Sequence, residues 1–331
     1  MKILYIYRHP DLGFSIGKVF KPIAEEMKKY AEVDSIYLPV PNYSLKGLWK
    51  NIRYAQKYCK RKEYDIIHIT GTEHYLRPFL LGKKVIVTVH DLGHFLHLKG
   101  IRRWKYWLMQ VAVLKFADAI TCISSKTLHE LQPHISIPRE RVSIIPNAVD
   151  DNYTFCPKEF HTDCPTILHI GTRKSKNLRN SILALKDFKC KLRIVGKLEK
   201  TDIDLLQTHN IDYSIVHDLS DAEILQEYQK ADIINFPSLY EGFGMPIIEG
   251  QAIGRLVITS DIEPMKSVAG NGAILCNPYD IHSIRSAYTK GVNDEYYRDC
   301  MIKKGIENAK HFALSDIALK YFTIYKKLFT K

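Results

Sequence analysis

Paired cysteines are missing from this sequence. Its seven, at positions 59, 122, 156, 164, 190, 276 and 300, are odd in number, scattered, and never spaced Cys-x-x-Cys. That argues against a disulfide framework or a thiolate zinc site and fits free thiols in a reducing cytosol. Long uncharged apolar runs are missing too, so no transmembrane helix is expected. The apolar start from Met1 to Tyr7 stops at Arg8-His9-Pro10, too soon for a signal peptide. No acidic or histidine cluster has metal-ligand spacing. The one Asp-x-Asp, Asp202-Ile203-Asp204, runs into Leu205-Leu206 and reads as a helix start. Helix-turn-helix, zinc and aromatic RNA-binding motifs are absent, as are repeats and low-complexity segments.

What is present is a globular profile, with 46% hydrophobic and 25% charged residues over 331 positions, enough for two ordinary domains. The net charge of +12 is unevenly spread. Residues 1–160 hold 25 Lys and Arg against 15 Asp and Glu, whereas residues 161–331 hold 23 against 21. The first half is therefore expected to meet something anionic.

Short apolar runs alternate with helical stretches along the whole chain. Strands are expected at 2–7, 34–38, 65–70, 84–90, 118–123, 142–146, 166–170, 191–195, 212–216, 232–236, 256–260 and 273–276. Most are continuously apolar, as in Lys84-Val85-Ile86-Val87-Thr88-Val89. Such runs mark strands buried on both faces of a parallel sheet, and their alternation with helices means α/β. An irregular stretch at 148–164 separates two αβ series. The expected domains are residues 1–155 and 156–311, with a helix at 312–331 packing back towards the first.

The most informative stretch is Phe236-Pro237-Ser238-Leu239-Tyr240-Glu241-Gly242-Phe243-Gly244-Met245-Pro246-Ile247-Ile248-Glu249-Gly250. It follows the strand Asp232-Ile233-Ile234-Asn235. Glycines permit a tight loop, and Pro246 suits the first helical position. A strand, a glycine loop and a helix start make an anion site at the carboxyl end of a parallel sheet. Glu241 and Glu249 lie on either side of it and could accept hydrogen bonds from two hydroxyl-bearing parts of one ligand. Taken alone, a Gly-x-Gly of this kind reads more readily as a tight βα turn with a dipole-stabilised carboxylate.

The whole pattern resembles the Glu-x7-Glu signature of the family 4 (group 1) retaining glycosyltransferases. Other pieces occur in that family's order. Ile170-Gly171-Thr172 with Lys176-Asn177-Leu178 is similar to its phosphate loop. Leu219 to Ile224 and Tyr228 to Asp232 are similar to the segment leading into the signature. Gly254 to Ser260 and Asn277 to Asp280 are similar to the family's segments on its far side. The resemblance covers nearly all of the second half and, more weakly, the first.

The resemblance implies the GT-B fold, two Rossmann-like domains facing each other across a cleft. It implies that Glu249 binds the donor ribose. Glu241, Gly242 and the backbone amides of Phe243, Gly244 and Met245 would hold the transferred sugar and the phosphates. Lys176, beside Gly171, would neutralise the diphosphate, with Lys174 an alternative two positions away. An arginine often follows the loop glycine in the family. Here Thr172 stands there and Arg173 comes next, so the role falls on one or the other. Lys266-Ser267 replaces a common proline and glutamate, a change expected to alter donor preference or local packing.

In the first half, His90 ends a buried strand at Thr88-Val89-His90-Asp91. A histidine there either caps the strand or faces the ligand crevice; the resemblance places it near the reacting sugar. Gly13-Phe14-Ser15-Ile16-Gly17 corresponds loosely to the family's glycine-rich loop, and Gly17 is the residue expected to present its N–H to the diphosphate. Lys46, Lys50, Arg53, Lys57 and Lys60 form a basic helical stripe beside Leu45, Leu48, Trp49, Ile52 and Ala55. A second basic cluster, Lys99, Arg102, Arg103 and Lys105, carries Trp104 and Trp107. Each suits either a solvated helix face or an anionic membrane surface.

The expected function is transfer of a sugar from a nucleotide sugar to a saccharide or lipid-linked acceptor, in bacterial surface-polysaccharide or glycolipid assembly. The expected place is the cytoplasm, with peripheral contact on the inner membrane face. No metal and no other cofactor is expected, and no nucleic-acid partner. A sugar-nucleotide epimerase of the same fold is the alternative, and a basic nucleic-acid-binding protein, supported by charge alone, the more remote one.

Overall fold

Uninterrupted aliphatic runs place a strand between two helical layers, and both halves of the chain are built this way. The computed structural model describes every residue except 13, 14, 42, 43 and 331. In the first half the strands are β1 (Lys2–Tyr7), β2 (Glu32–Tyr37), β3 (Ile66–Ile69), β4 (Lys84–Val89), β5 (Ala119–Cys122) and β6 (Val142–Ile144). They form one parallel sheet in the order β2-β1-β3-β4-β5-β6. The second half repeats the plan with β7 (Thr166–Ile170), β8 (Lys191–Val195), β9 (Tyr213–Val216), β10 (Ile233–Phe236), β11 (Leu256–Ser260) and β12 (Ile274–Cys276). Their order is β12-β11-β10-β7-β8-β9, again all parallel. The central strands β3, β5 and β10 are buried at every residue, whereas the edge strand β2 buries only Ile36. Polar edge strands discourage pairing with another chain.

Each order places a topological switch. β2 lies on one side of β1 and β3 on the other; likewise β8 lies on one side of β7 and β10 on the other. The loops leaving the two central strands diverge there, and the crevice between them at the carboxyl ends is where such sheets bind ligands. In the second half the flanking loops are those after β7 and β10, the loops that carry Gly171 to Lys176 and Glu241 to Gly244.

The chain divides into one unit of residues 1–148 with the helix Leu314–Phe329, and a second unit, Val149–Ala313. The division falls ahead of the expected 155/156. The segment after Ala148 is already bonded into the second unit, since Val149 N–H donates to Phe312 O at 2.9 Å and Cys156 N–H to Ile253 O at 3.1 Å.

The helix Leu314–Phe329 is held in the first unit by buried hydroxyls. Tyr325 Oη lies 2.9 Å from Tyr5 Oη and 2.7 Å from His68 Nδ1. His68 Nε2 lies 2.7 Å from Thr88 Oγ1, which in turn lies 2.6 Å from Thr121 Oγ1. The network joins β1, β3, β4 and β5 to the helix, and Phe20 packs edge-on against both His68 and Tyr321. A satisfied buried network of this kind specifies one packing arrangement.

His68 is fully buried, and burial lowers its pKa from 6.5 to about 3. The unfolded chain takes up a proton below about 6.5 that the folded state refuses until about 3. Its share of stability is therefore complete above pH 6.5 and falls by about 1.4 kcal/mol per pH unit on acidification between those limits. His68→Gln, which keeps hydrogen-bonding capacity but cannot titrate there, should lose about 2 kcal/mol less than the native protein between pH 6.5 and 5. Urea unfolding at both pH values checks this; equal acid losses would contradict it.

Candidate anion and hydroxyl site in the second unit

The strand β10 ends in Pro237, and the chain then loops until the helix Met245–Ile253. Gly244 stands at the N-cap with φ +123°, where a side chain would be strained and a Cβ would fall 2.9 Å from Ile247 Cδ1. Pro246 has no N–H, and Ile247 N–H already donates to Gly244 O at 3.0 Å. The N–H groups of Phe243, Gly244 and Met245 make no hydrogen bond within the described residues. Phe243 and Gly244 are buried, and buried orphan amides are rare. Three in succession at a helix start can receive an anion. Phe243 serves through its backbone, because its ring packs edge-on against Phe312 within the second unit's core.

From the other side of the crevice comes the loop after β7. Gly171 has φ +89°, and a Cβ there would lie 3.0 Å from Lys176 Cγ, so the glycine lets the lysine stem fold back over the loop. Lys176 Nζ donates to Glu241 Oε1 at 2.6 Å and lies 4.7 Å from the centre of the Phe236 ring. The two side chains retain 22% and 16% exposure, so the pair is covered but reachable. Asn177, in the left-handed region at φ 63°, donates from Nδ2 to Pro237 O and Pro278 O at 2.9 and 2.7 Å. Leu239 N–H donates to Ser175 O at 2.7 Å. The loops after β7, β10 and β12 are thereby stitched together.

Thr172 and Arg173 separate cleanly. Thr172 Oγ1 donates to Lys197 O at 2.6 Å, tying the β7 loop to the β8 loop. Arg173 is exposed and its side chain makes no hydrogen bond within the described residues. Of the two, only Arg173 has a cation to offer. Since Lys176 and Glu241 neutralise one another, the net positive charge of this loop comes from Arg173 and Lys174.

Glu249 lies one turn into the helix, half-buried, and its Oε2 accepts a short hydrogen bond from Tyr228 Oη. Tyr228 is wholly buried in the helix Asp221–Lys230, and burial, with Glu249 beside it, raises its pKa well above 10. The phenol therefore stays a donor to Glu249. Tyr153 packs edge-on against Tyr228, with ring centres 5.5 Å apart.

Sequence reasoning missed Asn177 and Tyr228 as site residues. Tyr228 reads as an ordinary apolar helix position; a buried phenol's need for a partner was the available signal. The Asp202-Ile203-Asp204 stretch lies in the helix Lys200–Thr208, with Asp202 in its capping box. Lys266 pairs with Asp261 at 2.8 Å and Ser267 donates to Glu263 at 2.8 Å, so both are engaged in local packing.

The first unit places His90 immediately after β4, half-buried, with Nε2 2.7 Å from Thr70 O. That nitrogen carries the proton and Nδ1 is left as an acceptor. Burial lowers His90 to about 4, against the Thr70 carbonyl, which favours the charged form. The imidazole is thus neutral at pH 7. Gly17 requires a correction: it lies in the first turn of the helix Ser15–Met27, not in a loop. Ile16, Val19, Phe20 and Ile23 are buried at helical spacing and draw the helix start back to Ser15. Gly13 and Phe14 lie outside the described residues. Trp107 also departs from expectation, since its Nε1 donates to His134 O at 3.0 Å and the ring is half-buried. The apolar stripe beside the basic helix divides: Ile52 and Ala55 are core, whereas Leu45 and Trp49 are 87% and 53% exposed.

A family profile described as Glycosyltransferase Family 4 matches residues 19–153, and one described as Glycosyl transferases group 1 matches residues 156–308. The O-antigen chain mannosyltransferase RfbU of Salmonella typhimurium is 27% identical over 249 residues, covering 72% of this chain and 67% of that protein. The serotype-specific mannosyltransferase WbdA of Escherichia coli is 24% identical over 69% of this chain, which spans only 31% of WbdA's length. Among solved structures, a sucrose-phosphate synthase from Thermosynechococcus elongatus superposes with a TM-score of 0.84 at 19% identity, covering 100% of this chain and 99% of that one. Anabaena HepE, solved with UDP and glucose, gives 0.78 at 14% identity over 99% and 100%.

The site geometry makes a direct prediction. Lys176→Met keeps the stem and removes the charge, leaving Glu241 to repel an anion. A hydrogen bond from a charged group is worth roughly 1.5–3 kcal/mol, so affinity for inorganic pyrophosphate should fall by roughly 10- to 150-fold. Calorimetric titration reads this, and unchanged affinity in a folded variant would remove Lys176 from the site.

Proposed function

Because this chain belongs to the family 4, group 1 glycosyltransferases and has their GT-B fold, we propose that it moves a hexose from a nucleotide sugar to a saccharide or lipid-linked acceptor in surface-polysaccharide assembly. The observation that carries the donor reading is the row of three unbonded amides at Phe243, Gly244 and Met245, set at the switch between β7 and β10 beside Lys176. A diphosphate fits that receptor. Glu249, with one oxygen held by Tyr228, accepts from the ribose hydroxyls. Glu241 meets hydroxyls of the transferred sugar. In the first unit, His90 Nδ1 accepts from a sugar or acceptor hydroxyl. The mannosyltransferase relatives favour mannose as the sugar. Neither the epimerase nor the nucleic-acid reading is favoured.

Transfer with retention follows from same-face attack. The acceptor oxygen bonds to the sugar's anomeric carbon as the bond to the diphosphate oxygen breaks, and the departing phosphate takes the acceptor's proton. What the protein supplies is position and charge stabilisation of the leaving diphosphate, and fixed donors suit that because they need no reorganisation during the reaction. Lys176 can keep one hydrogen on Glu241 and turn the other two towards phosphate.

Incubation with GDP-mannose and UDP-glucose, with and without a saccharide acceptor, tests the reading. Acceptor-dependent release of nucleoside diphosphate is expected, undiminished by EDTA, because lysine and amides meet the phosphate charge. Interconversion of the sugars without transfer would support an epimerase, and loss with EDTA restored by Mn²⁺ would transfer the leaving-group role to a metal.

We further propose that the acceptor side meets an anionic membrane. Among the described residues no helix is long and apolar enough to cross one. The helix Leu45–Arg61 instead exposes Leu45 and Trp49 beside Lys46, Lys50 and Arg53, and the helix Gly100–Tyr106 exposes Ile101 and Trp104 beside Arg102 and Lys105. Exposed tryptophans among cations suit the headgroup boundary. Each cation near such a surface contributes about 1 kcal/mol, so replacing Lys46, Lys50 and Arg53 with Gln should weaken binding to anionic vesicles roughly a hundredfold. Cosedimentation at low and high salt reads this; equal binding to neutral vesicles would count against the reading.

A further inference from the structure

Arg255 sits at the start of the strand β11 with 3% of its surface exposed, yet no carboxylate among the described residues bonds to it. Its guanidinium donates to backbone carbonyls throughout. Nε reaches Tyr228 O at 3.2 Å and Nη2 reaches Gln229 O at 2.7 Å. Nη1 reaches Cys156 O at 2.8 Å, Ile253 O at 3.2 Å and Gly254 O at 3.4 Å. These five carbonyls belong to three segments. Tyr228 and Gln229 end the helix Asp221–Lys230; Ile253 and Gly254 end the helix Met245–Ile253; Cys156 closes the segment that begins at Val149. Two helix C-termini, each a concentration of partial negative charge, converge on one cation.

The three segments are also those that supply Tyr228, Glu249 and Tyr153. Tyr228 Oη donates to Glu249 Oε2, and Tyr153 covers the Tyr228 ring. Glu249 lies one turn before Ile253, and Tyr228 is itself bonded to Arg255 through its carbonyl. A shift of either helix along its axis would separate the phenol from the carboxylate. We propose that Arg255 is a positioning residue for ribose recognition: it fixes the relative register of the two helices so that Tyr228 holds Glu249 at the angle that meets the ribose hydroxyls. The proposal rests on the reading that Glu249 binds ribose.

A residue that only stabilised the fold would change the melting temperature and leave ligand discrimination intact. A positioning residue changes discrimination. The test is therefore the ratio of affinities for GDP or UDP, whichever the native protein binds more tightly, and its 2′-deoxy counterpart, measured by calorimetry. The native ratio should be roughly tenfold or more, the scale of a hydrogen bond to a charged acceptor. Arg255→Lys, a point charge that cannot span three segments, should bring the ratio close to unity while inorganic pyrophosphate affinity stays within about twofold. Arg255→Gln, a neutral donor, is measured alongside, so that a folded variant of either kind decides. Lys176→Met should show the reverse, weaker pyrophosphate binding with the ribose preference kept. If the native protein binds the two nucleotides equally, the ribose reading of Glu249 fails and the proposal falls with it. If the native protein discriminates and a folded Arg255 variant discriminates equally, Arg255's role alone is overturned.

Discussion

The ion pair between Lys176 and Glu241 joins two loops that the sheet order drives apart, and the site of the second unit depends on it. β7 sends its loop to one side of the switch and β10 to the other. Nothing in a parallel sheet brings such loops together. Here a lysine crosses the crevice to a carboxylate, the Asn177 side-chain amide donates to Pro237 O, and Ser175 O accepts from Leu239 N–H. A half-covered pair of this kind adds little to stability, because the charges were well solvated before folding. Its value lies in fixing a cation and a carboxylate together where the two loops meet.

Much of this was legible in the sequence, for a physical reason. Strands buried on both faces are apolar at nearly every position, with a polar residue such as His68, Thr88 or Asn235 admitted only where a buried partner meets it, so β3, β4 and β10 announce themselves. The edge strands β2 and β9 do so less clearly, because one side of each has no neighbour and polar residues are tolerated there. The glycine loop was legible because positive backbone angles and orphan amides restrict the residues that can occupy it. Gly17 was misplaced because two glycines near a strand end look like a loop until the buried spacing of Ile16, Val19, Phe20 and Ile23 is weighed.

What stayed hidden shares one property: the partner is a backbone atom or a distant side chain. Trp107 reads as a surface aromatic among cations, but a carbonyl at His134 holds it. Thr172 looks like a substitute for arginine, but a carbonyl at Lys197 takes its hydroxyl. Arg255 looks like a surface cation beside a strand, and no sequence pattern reveals five carbonyls from three segments. Backbone acceptors are present at every residue and so leave no trace in composition.

The first unit is discontinuous in the chain, since its sheet is finished by Tyr321 and Tyr325 only after the whole second unit has intervened. During synthesis the ribosome therefore delivers β1 to β6 long before the hydroxyl that His68 requires. The second unit, encoded without interruption, is complete while the first still lacks the helix whose Tyr325 meets His68 Nδ1. The first unit is thus closed by the helix Leu314–Phe329, which leaves the ribosome after every strand of both sheets.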